Sequence, residues 1–153
     1  MMARLLVFSV FLVQLILCTS EARKCNVTGS WRNSLGSLLQ ISEDGLALQG
    51  CFHTAVELHK GAAGKSKVGK VTGIRNTGED PTVAFSACWK EGAVTTWAGQ
   101  CFCKSDPPVL KTMWLLRSPM SEEDHWKSTR VGEDVFHPVA KSWICDSDLD
   151  EHQ

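Results

Sequence analysis

Trp89, Trp97 and Trp114 stand two residues beyond Ala87, Thr95 and Thr112, so in an extended chain each indole shares a face with a small or hydroxyl-bearing neighbour. Trp is uncommon in a dry core unless its N–H finds a partner. Rings with hydroxyls between them therefore read as walls of a polar-spotted pocket, and the other reading is a core that uses Trp as filler. The chain has six Trp and no Tyr, so it supplies ring surface without the phenol hydroxyl.

Cysteine is the second chemistry-bearing type. Residues 1–22 have the form of a secretory signal peptide: Arg4, an apolar run over residues 5–17, then small residues at Cys18, Ser20 and Ala22. The run is too short for a spanning helix of about 20 residues, a single-pass anchor being the rival reading, and cleavage after either Ser20 or Ala22 suits the small-residue rule. Removal of this segment takes Cys18 with it. Cys25, Cys51, Cys88, Cys101, Cys103 and Cys145 remain, an even set that favours disulfides in an exported protein. Zinc at the Cys101-Phe102-Cys103 pair is the alternative, but the second ligand cluster it needs is missing. Asn26-Val27-Thr28 is an N-glycosylation sequon, which predicts an exposed Asn26.

Catalytic constellations are scarce. The chain has no G-x-S-x-G, H-E-x-x-H, P-loop or dinucleotide glycine fingerprint, and His53 and His59 read as surface residues. With 16 Lys and Arg against 17 Asp and Glu, it also lacks the basic excess of a nucleic-acid binder. No enzyme, no membrane span and no nucleic-acid partner is expected.

The elements that position these residues follow period two. Leu46, Leu48, Gly50, Phe52, Thr54, Val56 and Leu58 predict one face of a long strand. Val83, Phe85, Ala87 and Trp89 form another face, as do Thr95 and Trp97; Leu110, Thr112, Trp114 and Leu116; and Arg130, Gly132, Asp134 and Phe136. With strands at residues 29–31 and 38–41, and turns at 61–70, 76–81, 105–108 and 118–124, about eight short antiparallel strands are expected. Closing such a meander removes its edges and leaves an interior for packing or one small ligand. Parity turns Cys51 and Cys88 outward and leaves their pairing open. The glycine and lysine loop at 61–70 predicts a solvated connection, with a lid over a ligand mouth as the alternative. Residues 139–153 read as a tail carrying Trp143, Cys145 and an acidic run, in which Cys145 could join Cys103 or a second chain.

The segments R-K-C-N-V-T-G-S-W-R-N-S-L-G-S (23–37), T-A-V (54–56), W-K (89–90), T-T-W-A-G-Q-C-F (95–102), V-L-K-T-M-W-L-L-R-S (109–118) and W-K-S-T-R-V-G (126–132), in this order, closely resemble the avidin and streptavidin family of secreted biotin-binding proteins. The resemblance runs from Arg23 to about Phe136 and implies an all-β, eight-stranded antiparallel up-and-down barrel over residues 23–138. It implies biotin as ligand, with no cofactor, and a homotetramer. Asn33 and Ser37 would donate to the ureido oxygen, while Asp134 and Thr54 would accept from the ureido N–H groups. Thr95 would lie near the thioether, Trp89, Trp97 and Trp114 would enclose the bicyclic ring with Leu116, and Trp126 would reach a neighbouring subunit's pocket. Cys25 and Cys101 match the family disulfide, and Trp31 is expected at a barrel end beside Arg130.

Three departures from the pattern matter. Phe52 replaces a tyrosine that donates to the ureido oxygen. Glu57, Leu58 and His59 occupy the stretch that would hold the ligand carboxylate, with Glu57 outward by parity and His59 or Lys60 able to compensate. Ala93 replaces a serine hydroxyl serving the same end. The expectation is a biotin binder weakened at its mouth; the alternatives are a lipocalin-like carrier and a secreted interaction module with a decayed pocket.

Overall fold

The computed structural model describes residues 24–140 and Cys145. The expected signal peptide, Trp143 and the acidic run after Cys145 lie outside the described residues. Eight strands close into one antiparallel barrel: β1 (Gly29–Asn33), β2 (Leu38–Asp44), β3 (Ala47–His53), β4 (Val68–Arg75), β5 (Thr82–Cys88), β6 (Val94–Phe102), β7 (Val109–Arg117) and β8 (Thr129–Pro138). Each strand pairs with its chain neighbour, and β1 pairs with β8 through Trp31 opposite Pro138 and Asn33 opposite Phe136. Every edge is thereby satisfied, as the alternation requires of a sheet with a single buried face.

Up-and-down order sends alternate connections to opposite ends. Residues 34–37, 54–67, 89–93 and 118–128 gather at one end, while residues 45–46, 76–81 and 103–108 gather at the other. The second end is packed shut. Val27, Trp31, Leu39, Ile41, Leu48, Val83 and Leu110 are buried there, the Trp31 indole N–H donates to the Val27 carbonyl at 3.0 Å, and Cys25 is bonded to Cys101. This disulfide is the pairing the resemblance implied, and it removes Cys101 from any metal site.

Four expectations need correction. The long strand predicted over residues 46–58 stops at His53, because Thr54 forms a local turn: its hydroxyl donates to the Val56 carbonyl at 2.5 Å and accepts from the Val56 N–H. The loop predicted over residues 61–70 runs instead over residues 54–67, earlier and longer, since β3 ends at His53 and β4 begins at Val68. Trp31 and Arg130 sit at opposite ends of the barrel, Arg130 pairing with Leu116 while Trp31 lies opposite Pro138. Cys145 joins Cys51, with Cα atoms 5.9 Å apart, rather than Cys103. The outward parity of Cys51 holds, and its burial comes from the outer surface where Cys145 lies, near Gln40. Cys88 is free and exposed; β4 separates its strand from β3, so the two Cα atoms lie about two strand spacings, roughly 10 Å, apart.

Candidate ligand-binding site

At the open end a cavity of about 190 Å³ runs into the barrel. Aromatic rings form its inner wall. Phe52 on β3 is 3% exposed and packs against Trp97 at 4.9 Å between ring centroids, with Trp89 and Phe136 edge-on at 6.1 and 6.2 Å. Trp97 is stacked in turn on Phe85 at 5.2 Å. Trp114 faces Trp97 across the β6–β7 ladder. Its ring lies against Gly132 of β8, where a Cβ would overlap it. An inward glycine on one strand is thus the space into which a tryptophan of the next strand fits.

The polar residues at the inner end are wired to one another, and the wiring determines what each has left to offer. Asn33, at the end of β1, accepts from the Ser37 N–H with its Oδ1 and donates from Nδ2 to Asp134 Oδ1, both at 2.8 Å. One amide N–H remains. Ser37 Oγ accepts from the Ala55 N–H at 3.0 Å, so its hydroxyl hydrogen remains. Thr54 has committed its hydroxyl hydrogen to Val56, so it can only accept. Asp134 accepts from Asn33 on one oxygen and from the Trp97 indole N–H on the other at 3.0 Å, and each oxygen keeps a lone pair. Two donors thus face the cavity beside two acceptors. Burial pushes the Asp134 carboxyl above its ordinary range, against the opposing pull of its Trp97 and Asn33 hydrogen bonds.

Nearer the mouth, Trp89 donates its indole N–H to Thr95 Oγ1 at 2.8 Å, which turns the threonine hydrogen elsewhere. Leu116, Val56, Leu58 and Ala93 line the same space. The resemblance placed Asn33, Ser37, Phe52, Thr54, Trp89, Thr95, Trp97, Trp114, Leu116 and Asp134 in one site, and all ten line this cavity. Trp126 does not; it is 70% exposed on the connection between β7 and β8, with the Lys127 ammonium over its ring at 5.1 Å. Asn26 is exposed, as its sequon requires, with its side-chain oxygen accepting from the Thr28 N–H.

The sequence reading missed Leu35, Ala62, Ala63 and Arg130 as lining residues. Of these, Ala62 and Ala63 carried a signal: small apolar residues in a loop otherwise of glycine and lysine, and Ala63 is buried over the mouth. Glu57 also needs correction, because its parity pointed outward and it lines the cavity instead. Once the strand ends at His53, parity no longer governs it. Its carboxylate accepts from the Ala63 N–H at 3.0 Å and pairs with Lys67 at 3.2 Å. The Ala63 N–H is the main cause that holds its carboxyl below the usual range, helped by Lys67. His59 points to Glu91, 3.3 Å away.

A closed eight-stranded barrel with an aromatic-walled cavity and convergent polar groups at its inner end defines a small-ligand-binding barrel. The profile of the avidin family matches residues 21–139. The chain is 39% identical to avidin of Gallus gallus over 121 residues, which cover 76% of this chain and 80% of that protein. It is 36% identical to avidin-related protein 4/5 of Gallus gallus over 138 residues, 86% of this chain and 90% of the relative. Of solved structures, xenavidin matches with a TM-score of 0.70 at 37% identity over 76% of this chain and 100% of its own. A biotin binding protein from chicken matches with a TM-score of 0.69 at 35% identity, over 76% and 98%. The chain belongs to the avidin family.

Proposed function

We propose that this protein binds and sequesters biotin without converting it. The carrying observation is the unused hydrogen-bonding capacity at the inner end of the cavity. A cyclic urea offers one oxygen that accepts and two N–H groups that donate; Asn33 and Ser37 have two donors to spare, and Asp134 and Thr54 have acceptors. Each buried polar group of the ligand would then be satisfied, where an unpaired one costs about 1–3 kcal/mol. An apolar ligand would leave the spare donors and acceptors of the same four residues unmet, which argues against a lipocalin-like carrier. The relative named as a biotin binding protein supports the same ligand.

Trp89, Trp97, Trp114 and Leu116 would enclose the bicyclic ring and Thr95 would face the thioether. The reading is a non-catalytic binder, supported by membership of the avidin family. The outward faces of β4, β7 and β8 present Ile74, Met113, Leu115, Val131 and Val135, with Met113 at 64% and Val131 at 69% exposure. So much apolar surface, on the adjacent β7 and β8 and on β4 farther round the barrel, supports a homotetramer, with Trp126 closing a neighbour's pocket. Residues 1–22 are the export signal, residues 23–138 the barrel and residues 139–153 a tail; the mature protein is extracellular, with glycan at Asn26.

Phe52 carries no donor where the resemblance expects a tyrosine, so affinity falls below that of a three-donor site. Calorimetric titration of the purified mature protein with biotin tests the function. Heat with one site per chain is expected, and its absence at micromolar protein overturns the reading.

A further inference from the structure

Beyond Glu57 the cavity is continued by a second, outer compartment of about 490 Å³. The two share Glu57, and the same two segments border both: Ala62 and Ala63 line the inner space while Gly61 and Gly64 line the outer, and Trp89 lines the inner while Lys90 lines the outer. Their chemistries differ sharply. The inner space is aromatic with neutral polar groups, Asp134 at its end and Glu57 and Arg130 among its charged lining, whereas the outer is lined by Lys60, Lys65, Lys67 and Lys90 against Glu57 and Glu91. Lys67 is engaged by Glu57, but Lys60, Lys65 and Lys90 have no ion-pair partner among the described residues.

Glu57 stands at the junction with its side chain 10% exposed. Its carboxylate already occupies the Ala63 N–H and the Lys67 ammonium, the donors a ligand's anionic end would seek there. A ligand carboxylate halted at this point meets a like charge whose counter-charges are in use, while an uncharged linkage meets no such repulsion. On the Glu57 side of the mouth, away from Arg130, negative charge becomes favourable again farther out, over the three unpaired lysines.

We propose that the site is built for a ligand longer than its inner cavity: a cyclic-urea head inside, an uncharged amide beside Glu57, and an acidic segment beyond it over Lys60, Lys65 and Lys90. In chemical terms this is biotin joined through its carboxyl group to an acidic peptide, in preference to the free acid. The inference rests on the biotin reading above and specifies the form in which the ligand is taken.

Competition against a labelled biotin separates the cases, using free biotin, biotinamide and biotinyl-diaspartate with the full-length mature protein. Biotinamide is expected to compete on the order of tenfold better than free biotin, and Glu57→Gln should close that gap. Biotinyl-diaspartate should compete better still, with a gain that shrinks as salt is raised and disappears in a Lys65→Glu/Lys90→Glu variant that still binds biotinamide. Free biotin competing as well as biotinamide, or a diaspartate no better than the amide, overturns the proposal while leaving biotin binding intact. Failure of all three probes, and of the labelled biotin itself, overturns the underlying function and this proposal with it.

Discussion

Asn33 Nδ2 donates to Asp134 Oδ1 at 2.8 Å across 101 residues of chain, joining the strand that opens the barrel to the strand that closes it. The bond lies beside the β1–β8 seam and inside the cavity, so one contact serves both closure and the cavity's inner end. Its acceptor is the carboxyl that burial pushes above the ordinary range.

Acidification should therefore have opposite effects on ligand and fold. Protonation of Asp134 removes an acceptor for a ureido N–H, so biotin affinity falls as pH falls through the raised value. For the unliganded fold, a carboxyl with a folded pKa above its unfolded one opposes folding when ionised. The contribution to stability thus improves as pH falls from the raised value toward the ordinary carboxylate range. Calorimetry and thermal unfolding from about pH 8 to about pH 4 would show both trends, and Asp134→Asn should flatten each. A pH-independent affinity in the parent protein counts against Asp134 as acceptor.

Phe52→Tyr should restore a donor at the inner end of the cavity. The ring contacts with Trp97, Trp89 and Phe136 are retained, and the added hydroxyl gains a neutral hydrogen bond of about 1 kcal/mol, hence biotin affinity rises roughly fivefold. Equal affinities by competition would sink the donor argument.

Gly132→Ala places a methyl group in the space the Trp114 ring occupies. The ring must shift, at about 1–3 kcal/mol for overpacking. Because that ring is a cavity wall, the expected result is a lower melting temperature together with at least tenfold weaker biotin binding. A lowered melting temperature with unchanged affinity would show that Trp114 does not contact the ligand.

Cys51→Ser/Cys145→Ser opens a disulfide that spans 94 residues and lies on the outer surface of β3. Loss of about 2–4 kcal/mol of stability is expected, read as a lower denaturation midpoint. Biotin affinity should not change, since neither sulfur borders the cavity.

Trp126→Ala removes a ring that is 70% exposed and carries the Lys127 ammonium on its face. The melting temperature of the isolated chain should shift little, while in the assembled protein biotin should dissociate faster, by tenfold or more if the ring covers a neighbour's pocket. Unchanged release kinetics would place Trp126 outside the site.

The strands that could be read most clearly are those whose inward positions carry large side chains. Phe85, Trp97, Trp114 and Phe136 mark their faces by period two, and each is where that parity put it. β4 escaped notice because two of its inward positions are Gly69 and Gly73, which leaves Val71 as the main hydrophobic signal on that face. At Gly73 an added Cβ would press on Phe85, so the missing signal is itself a packing requirement. The opposite error occurred after β3, where Thr54, Val56 and Leu58 continue the alternation although the ladder has ended. They still line the cavity, so the alternation reported a shared environment and not a strand.

Residue types and order alone determined an all-β chain of about eight strands and the ring set of its cavity, and the resemblance they carry implied the closed barrel. These follow from local periodicity and from motifs that survive in one dimension. Only the folded barrel decided that Cys51 meets Cys145 across 94 residues, that Trp31 and Arg130 lie at opposite ends, and that Glu57 turns to the mouth with its charge held by Ala63 and Lys67. Such contacts depend on which strand ends share a rim and on where a loop folds back, and neither is encoded in the parity of a single strand.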